Sequence, residues 1–439
     1  MVKKHLSSSQ VIIFGFAGAI LIGTLLLMLP ISSASGGMTS FSDSVFTATS
    51  AVCVTGLAVH DTATHWSVFG QLVILLLIQI GGLGVVTLSV ATAMLAGRKI
   101  GLMQRSTLKE AISAQKVGGI VRLTGFILRM TFLIELIGAV VLSAVFCRDF
   151  GIKGIWLGIF HSISAFCNAG FDLMGTASPF SSLTRYSVQP VVNIAIMLLI
   201  IIGGIGFLVW EDINTNRFRI KKYRMQSKVV LSVTAFLLIA PFLYFYFFEF
   251  NRFHGAERLY ISLFQAVTPR TAGFNTTDLT ALSGTGKMIT VFLMLVGGSP
   301  GSTAGGMKTT TIAVLVFSSI SVFRKKEDVE CFGRRLSDDT IKNAAAIFLM
   351  YLILFVGGGI IISGIEKLPL TACLFETASA VGTVGLSLGI TPTVGNISRA
   401  ILIALMFFGR VGGLTVIFAT VSGKNRNVSK KPQEQITVG

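Results

Sequence analysis

The chain has 439 residues, 52% of them hydrophobic and only 13% charged, with a mean hydropathy of +0.79, whereas soluble domains carry about 25% charged residues. That much apolar surface cannot be hidden in a water-soluble core, so soluble enzymes and binding modules are excluded. The formal charge of +17 raises nucleic acid as a partner, but the basic residues fall in five blocks between apolar runs, which argues against it. Under the positive-inside rule such blocks are cytoplasmic. Five inside segments require four round trips: eight spanning helices, both termini cytoplasmic, in a multi-pass protein of the cell membrane.

In chain order, Lys3 and Lys4 open the first block and precede an apolar run at 11–30. Its small-residue end, ISSASGG, resembles a signal-peptide junction, but the run is about 20 residues, long enough to cross a hydrocarbon layer about 30 Å thick, and is read as a retained helix. A shorter run at 41–51 then leads into TSAVCVTGL at 49–57, and a full-length run at 68–95 carries Gly81 and Gly82. The second basic block follows, with Arg98, Lys99, Arg105, Lys109, Lys116, Arg122 and Arg129. The same order then recurs: a long run containing Glu135, a short one at 154–166, SAFCNAGF at 164–171 and a run with Gly203 and Gly204. After the block Arg217, Arg219, Lys221, Lys222, Arg224 and Lys228 come a short run at 256–267 and AVTPRTAGF at 266–274. After Arg324, Lys325, Lys326, Arg334, Arg335 and Lys342 come a short run at 368–380, SAVGTVGL at 379–386, and a last run with Gly412 and Gly413. Lys424, Arg426, Lys430 and Lys431 close the chain.

The glycines ending the four strings, Gly56, Gly170, Gly273 and Gly385, lie 114, 103 and 112 residues apart. Four units near 110 residues fill the chain: 1–100, 101–225, 226–325, and 326–439 with a cytoplasmic tail. Each unit reads as helix, re-entrant half helix, loop, helix, an all-α membrane fold of four pseudo-symmetric repeats around one pore. Non-helical backbone at membrane depth is tolerated only inside protein or along a water-filled path. The carboxyl end of a half helix offers a partial negative charge there, which suits a cation. The loop carbonyls then replace its water, and glycine lets them converge. The expected filter is Val54, Thr55, Gly56; Asn168, Ala169, Gly170; Thr271, Ala272, Gly273; and Thr383, Val384, Gly385, with one dominant ion site at the glycines. Paired glycines in the second helices are read equally as close-packing positions.

The third unit departs from the others, since GGSPGSTAGG at 297–306 cannot sustain a helix. A phosphate loop needs Lys directly after its last glycine, whereas Met307 intervenes before Lys308. The segment Gly297, Gly298, Ser299, Pro300, Gly301, Ser302, Thr303, Ala304, Gly305 and Gly306 is expected to be a flexible gate below the filter. Charges in apolar runs are functional candidates by default. Arg410 is expected to be an electrostatic barrier that holds the gate through its carbonyls. Lys308 either belongs to the gate or reaches the cytoplasmic interface, and Glu135 is expected to be a satisfied structural partner. Arg270 and Glu376, opposite charges in neighbouring units, are expected to form a filter-bracing pair. The five cysteines include no close pair, and the five histidines are scattered and read as loop and packing residues, so neither a disulfide framework nor a metal site is implied. No residue set for catalysis is visible. A secondary transporter of another solute, coupled to Na+ or H+, would need several buried acids, and only Glu135 and Glu376 qualify.

VTGL, CNAGF, TPRTAGF, GTVGL, GGSPGSTAGGMKTT and GRVGG with Arg410 together resemble the Trk/Ktr/HKT superfamily of potassium transporters, most closely the bacterial Ktr membrane subunit. The resemblance covers nearly the whole chain. It implies a pore-forming homodimer that takes up K+, often with Na+ as an activating or coupling ion, on a cytosolic ring of nucleotide-binding regulatory subunits. Because this chain has no nucleotide motif of its own, the ring would supply that sensing, and the chain itself would hold no cofactor. In that superfamily, serine at the first filter glycine accompanies Na+ selectivity, so Gly56 implies K+.

Overall fold

The computed structural model describes residues 7–95, 100–112, 118–176, 178–217, 219–413 and 415–416. Lys3, Lys4, Arg98, Lys99, Lys116, the closing basic block and the carboxyl tail lie outside them. The described chain is almost wholly helical, with one two-stranded hairpin. Four helices are long and apolar enough to cross a bilayer: Ser8–Leu27, Ile120–Phe150, Met225–Glu249 and Asp338–Glu366. Each is followed by a short helix: Phe41–Val52, Lys153–Phe166, Gly255–Val267 and Leu370–Gly382. At 12 to 14 residues these are too short to span.

After each short helix comes a second, differently broken one. Val68–Leu83 turns by 94° into Val85–Met94, and Pro190–Gly204 turns by 95° into Phe207–Asn216. Counting each bent pair as one span gives six helices able to cross. Gly284–Leu295 is separated from Thr309–Phe323 by the glycine-rich segment, and Asn396–Val411 stops at Gly412. The corners are glycines for a backbone reason: Gly84, Gly206 and Gly412 sit at φ +85°, +96° and +88°, where a Cβ is strained. Serine starts several of these helices. The hydroxyls of Ser40, Ser67 and Ser283 accept the backbone N–H groups of Asp43, Gly70 and Gly286 at 3.1, 3.2 and 2.9 Å, satisfying donors that a helix start leaves free.

The corners also revise the glycine register. The matching pairs are Gly81 with Gly84, Gly203 with Gly206, and Gly409 with Gly412, so Gly409 rather than Gly412 corresponds to Gly81 and Gly203. A Cβ on Gly81, Gly203 or Gly409 would collide with the carbonyl of Val52, Phe166 or Val381, respectively. The second helices therefore sit directly on the carboxyl ends of the short helices, the close packing that small residues permit. Two large apolar clusters bury the four short helices. Phe46, Phe160, Phe264 and Phe375 are each at most 1% exposed.

Candidate functional site

The four glycine loops meet in a closed ring. A Cβ on Gly56 would collide with the Ala169 carbonyl, one on Gly170 would lie 2.6 Å from that of Ala272, and those on Gly273 and Gly385 would collide with the carbonyls of Val384 and Thr55. Each glycine thus abuts the loop of the next unit, and the fourth closes on the first. Eight of the twelve residues expected at the filter make these contacts, the four glycines with Thr55, Ala169, Ala272 and Val384; Val54, Asn168, Thr271 and Thr383 precede them in the chain. Along each triple the backbone alternates. Val54, Asn168, Thr271 and Thr383 take φ of +51°, +57°, +65° and +51°, and the glycines take +88°, +70°, +84° and +94°, while the residues between them do not have positive φ. A β-branched residue in the left-handed region is an outlier that concentrates at functional sites. Three of the four loops place one there.

Hydroxyls pin the loops to their short helices. The Gly56 and Gly385 N–H groups donate to Ser50 Oγ at 3.1 Å and Ser379 Oγ at 3.0 Å. Ser164 Oγ donates to the Phe171 carbonyl at 2.7 Å, and the Thr268 hydroxyl donates to the Phe274 carbonyl. Sequence reasoning missed these residues. The signal was present, since a serine stands six residues before the glycine in three strings and a threonine five before it in the other.

A cavity of about 260 Å³ opens against the four glycines and is lined also by Asp61, Asp172 and Asp278. A second, of about 280 Å³, is lined by Ser302, Gly306, Lys308 and Arg410. Residues 297–306 form a stapled excursion rather than a free strand. Ser299 and Thr303 N–H groups donate to the Gly204 and Gly203 carbonyls at 3.0 and 3.2 Å, and Gly306 N–H to the Gly409 carbonyl at 3.0 Å. Thr303 Oγ1 donates to the Phe166 carbonyl and to Asn168 Oδ1, both at 3.0 Å. The segment therefore touches the ring itself. Arg410 donates to the carbonyls of Thr303, Gly81 and Gly82, joining it to two second helices. Lys308 Nζ turns back to the Ala304 and Gly305 carbonyls at 2.8 and 3.3 Å, so its ammonium is bound to the glycine-rich segment.

The expected pair of Arg270 and Glu376 does not form. Arg270 Nη1 donates to the Thr234 carbonyl at 3.4 Å, while Glu376 accepts from Ser387 Oγ at 3.0 Å and from the Thr391 hydroxyl. Near hydroxyls on its own loop satisfy this fully buried carboxylate without moving a guanidinium out of another unit. Glu135 is held as a structural partner: Gln79 Nε2 donates to its two oxygens at 3.0 and 3.1 Å.

A family model described as a cation transport protein, TrkH, matches residues 7–428. The chain is 43% identical over 450 residues to the potassium/sodium uptake protein NtpJ of Enterococcus hirae, covering all of this chain and 98% of that one. It is 39% identical to the Ktr system potassium uptake protein B of Bacillus subtilis, covering 98% and 96%. The crystal structure of the potassium transporter TrkH from Vibrio parahaemolyticus superimposes with a TM-score of 0.76 at 19% identity, over 96% of this chain and 87% of that one. Fold, sequence and family model agree, and the chain belongs to the TrkH family of cation transport proteins.

Proposed function

We propose that this chain is the pore subunit of a K+ uptake system of the cell membrane, and that the closed ring of glycine loops is its selectivity filter. That ring carries the reading, because it gathers backbone carbonyls from four loops beside the carboxyl ends of four short helices, and this is what a cation losing its water requires. The carboxylate-lined cavity is the outer mouth and the Arg410 cavity the inner one. Residues 297–306, with Arg410, are the gate. The architecture is eight spans in four repeats, 1–100, 101–225, 226–325 and 326–439, with both termini cytoplasmic. The pore works as a homodimer on a cytosolic ring of nucleotide-binding regulatory subunits, with Na+ activating or coupled to uptake. A K+-uptake-deficient bacterium expressing the chain with such regulatory subunits is expected to grow at low K+. Failure of rescue with the protein present in the membrane overturns the reading.

Asp172 adds a pH dependence. Burial pushes its carboxyl up to about 6; the Met174 N–H opposes this, Asp61 adds to it, and Ser182 opposes it. Because the folded value lies above the ordinary one, the fold favours the neutral form, and the carboxylate appears only as external pH rises through about 6. Uptake at limiting K+ is expected to rise over that window as the outer mouth gains charge. Asp172→Asn should flatten the rise, and a step that survives the substitution would refute this role.

A further inference from the structure

The hairpin between Thr309–Phe323 and Asp338–Glu366 carries an anomaly unrelated to the pore. Its strands pair Glu330 with Arg335 and Cys331 with Arg334, leaving Phe332 and Gly333 as a two-residue turn at φ +46° and +73°. Such turns favour Asn and Gly, because both central residues are left-handed. An aromatic ring there is strained, and it is not repaid by burial, since Phe332 is 52% exposed. Phe323 and Val322, which end the preceding helix, are 83% and 68% exposed.

The surrounding segment is firmly built. Cys331 is buried in a small cluster with Val229 and Ala313, Ser321 Oγ donates to the Asp328 carbonyl at 2.8 Å, and Leu336 N–H donates to the Val329 carbonyl at 2.8 Å. Lys326 pairs with Glu330, and Arg335 with Asp328. Arg324, Lys325 and Arg334 are exposed and have no ion-pair partner among the described residues; the nearby acids without one are Glu327, and Asp338 and Asp339 in the first turn of the next helix, where they complement the helix N-terminus. A rigid platform thus displays three free cations around three exposed apolar side chains.

We propose that this hairpin is a binding surface for anionic phospholipid headgroups, with Phe332 at the acyl boundary. The proposal rests on the orientation given above, which places the hairpin on the cytoplasmic side. The length allows it: fifteen residues of helix from the gate span roughly 22 Å along the helix axis, more than the roughly 15 Å of half a hydrocarbon layer, so the helix is long enough to reach the headgroups. Aromatic rings and basic side chains partition to that layer. Lipid held there would anchor the far end of the helix that leaves the gate.

The test uses the full chain in vesicles of phosphatidylcholine with or without phosphatidylglycerol. Fluorescence of Phe332→Trp, less that of the parent chain, should be quenched about twofold or more strongly by brominated phosphatidylglycerol than by brominated phosphatidylcholine at equal fraction. Combining Arg324→Gln, Lys325→Gln and Arg334→Gln should remove the preference. Should the tryptophan variant not fold, native mass spectrometry of the parent chain against the triple variant is expected to show fewer retained phosphatidylglycerol molecules on the variant. Equal quenching by both lipids, or a preference that survives the triple substitution, overturns the proposal. So does a triple variant that loses cytosolic-subunit binding while keeping its lipid preference, which would assign the surface to a protein. These readouts need no transport, so a chain that binds lipid without moving K+ would defeat the uptake reading alone.

Discussion

Gly56→Ser is expected to cost the pore at least about tenfold in its preference for K+ over Na+, which corresponds to about 1.4 kcal/mol. The backbone at Gly56 is left-handed, at φ +88°, a region that costs a side-chain-bearing residue roughly 1–2 kcal/mol. Its Cβ would also collide with the Ala169 carbonyl and lie 3.0 Å from Gly170 Cα. Both the backbone and its neighbour must shift, and Ala169 belongs to the next unit, so two sides of the ring distort together. A displaced carbonyl no longer fits the larger ion, while a smaller one carrying part of its water is less affected. Paired K+ and Na+ uptake in proteoliposomes measures the ratio. A ratio unchanged within about twofold, in protein that folds and transports, would remove Gly56 from the filter.

The second large effect is of opposite sign. Arg410→Ala is expected to raise K+ flux by about tenfold. A unit charge within about 5–8 Å of the path opposes a cation by about 0.5–3 kcal/mol at effective dielectric constants of 20 to 80. The same side chain ties residues 297–306 to the second helices through the carbonyls of Thr303, Gly81 and Gly82. Alanine removes both the repulsion and the tether, and of the released carbonyls that of Gly82 belongs to a residue lining the cavity, where water can replace the guanidinium. Arg410→Lys keeps the charge but not the planar fork that reaches several acceptors, so it should recover most of the barrier and less of the tether. Flux that falls or stays level in folded Arg410→Ala protein would show that the guanidinium supports the pore rather than obstructing it.

Much of the candidate site was legible because repetition reported it. Four glycines at near-equal spacing, each behind a run too short to span, led to the ring, and the chemistry of a charge in an apolar run singled out Arg410. What stayed illegible depends on three-dimensional register. The left-handed Val54, Thr271 and Thr383 carry β-branched side chains that propensity assigns to extended backbone. Ser50, Ser164 and Ser379 read as small helix residues until the loops fold back onto them. Opposite sign suggested pairing Arg270 with Glu376, but sign says nothing of depth, and Ser387 and Thr391 were nearer. The glycines of residues 297–306 argued for looseness, yet their small size lets the segment approach Gly203, Gly204 and Gly409 closely enough to be hydrogen-bonded in place.

Because all four sides of the ring come from one polypeptide, a single codon rewrites the sequence of one wall and reaches the others only through the contacts between neighbouring units. In a pore assembled from four identical chains the same codon is felt four times, and intermediate selectivities are hard to reach. Here the equivalent places already hold three residue types, Val54, Asn168 and the threonines Thr271 and Thr383. A filter built on such a ring can change its ion preference one wall at a time.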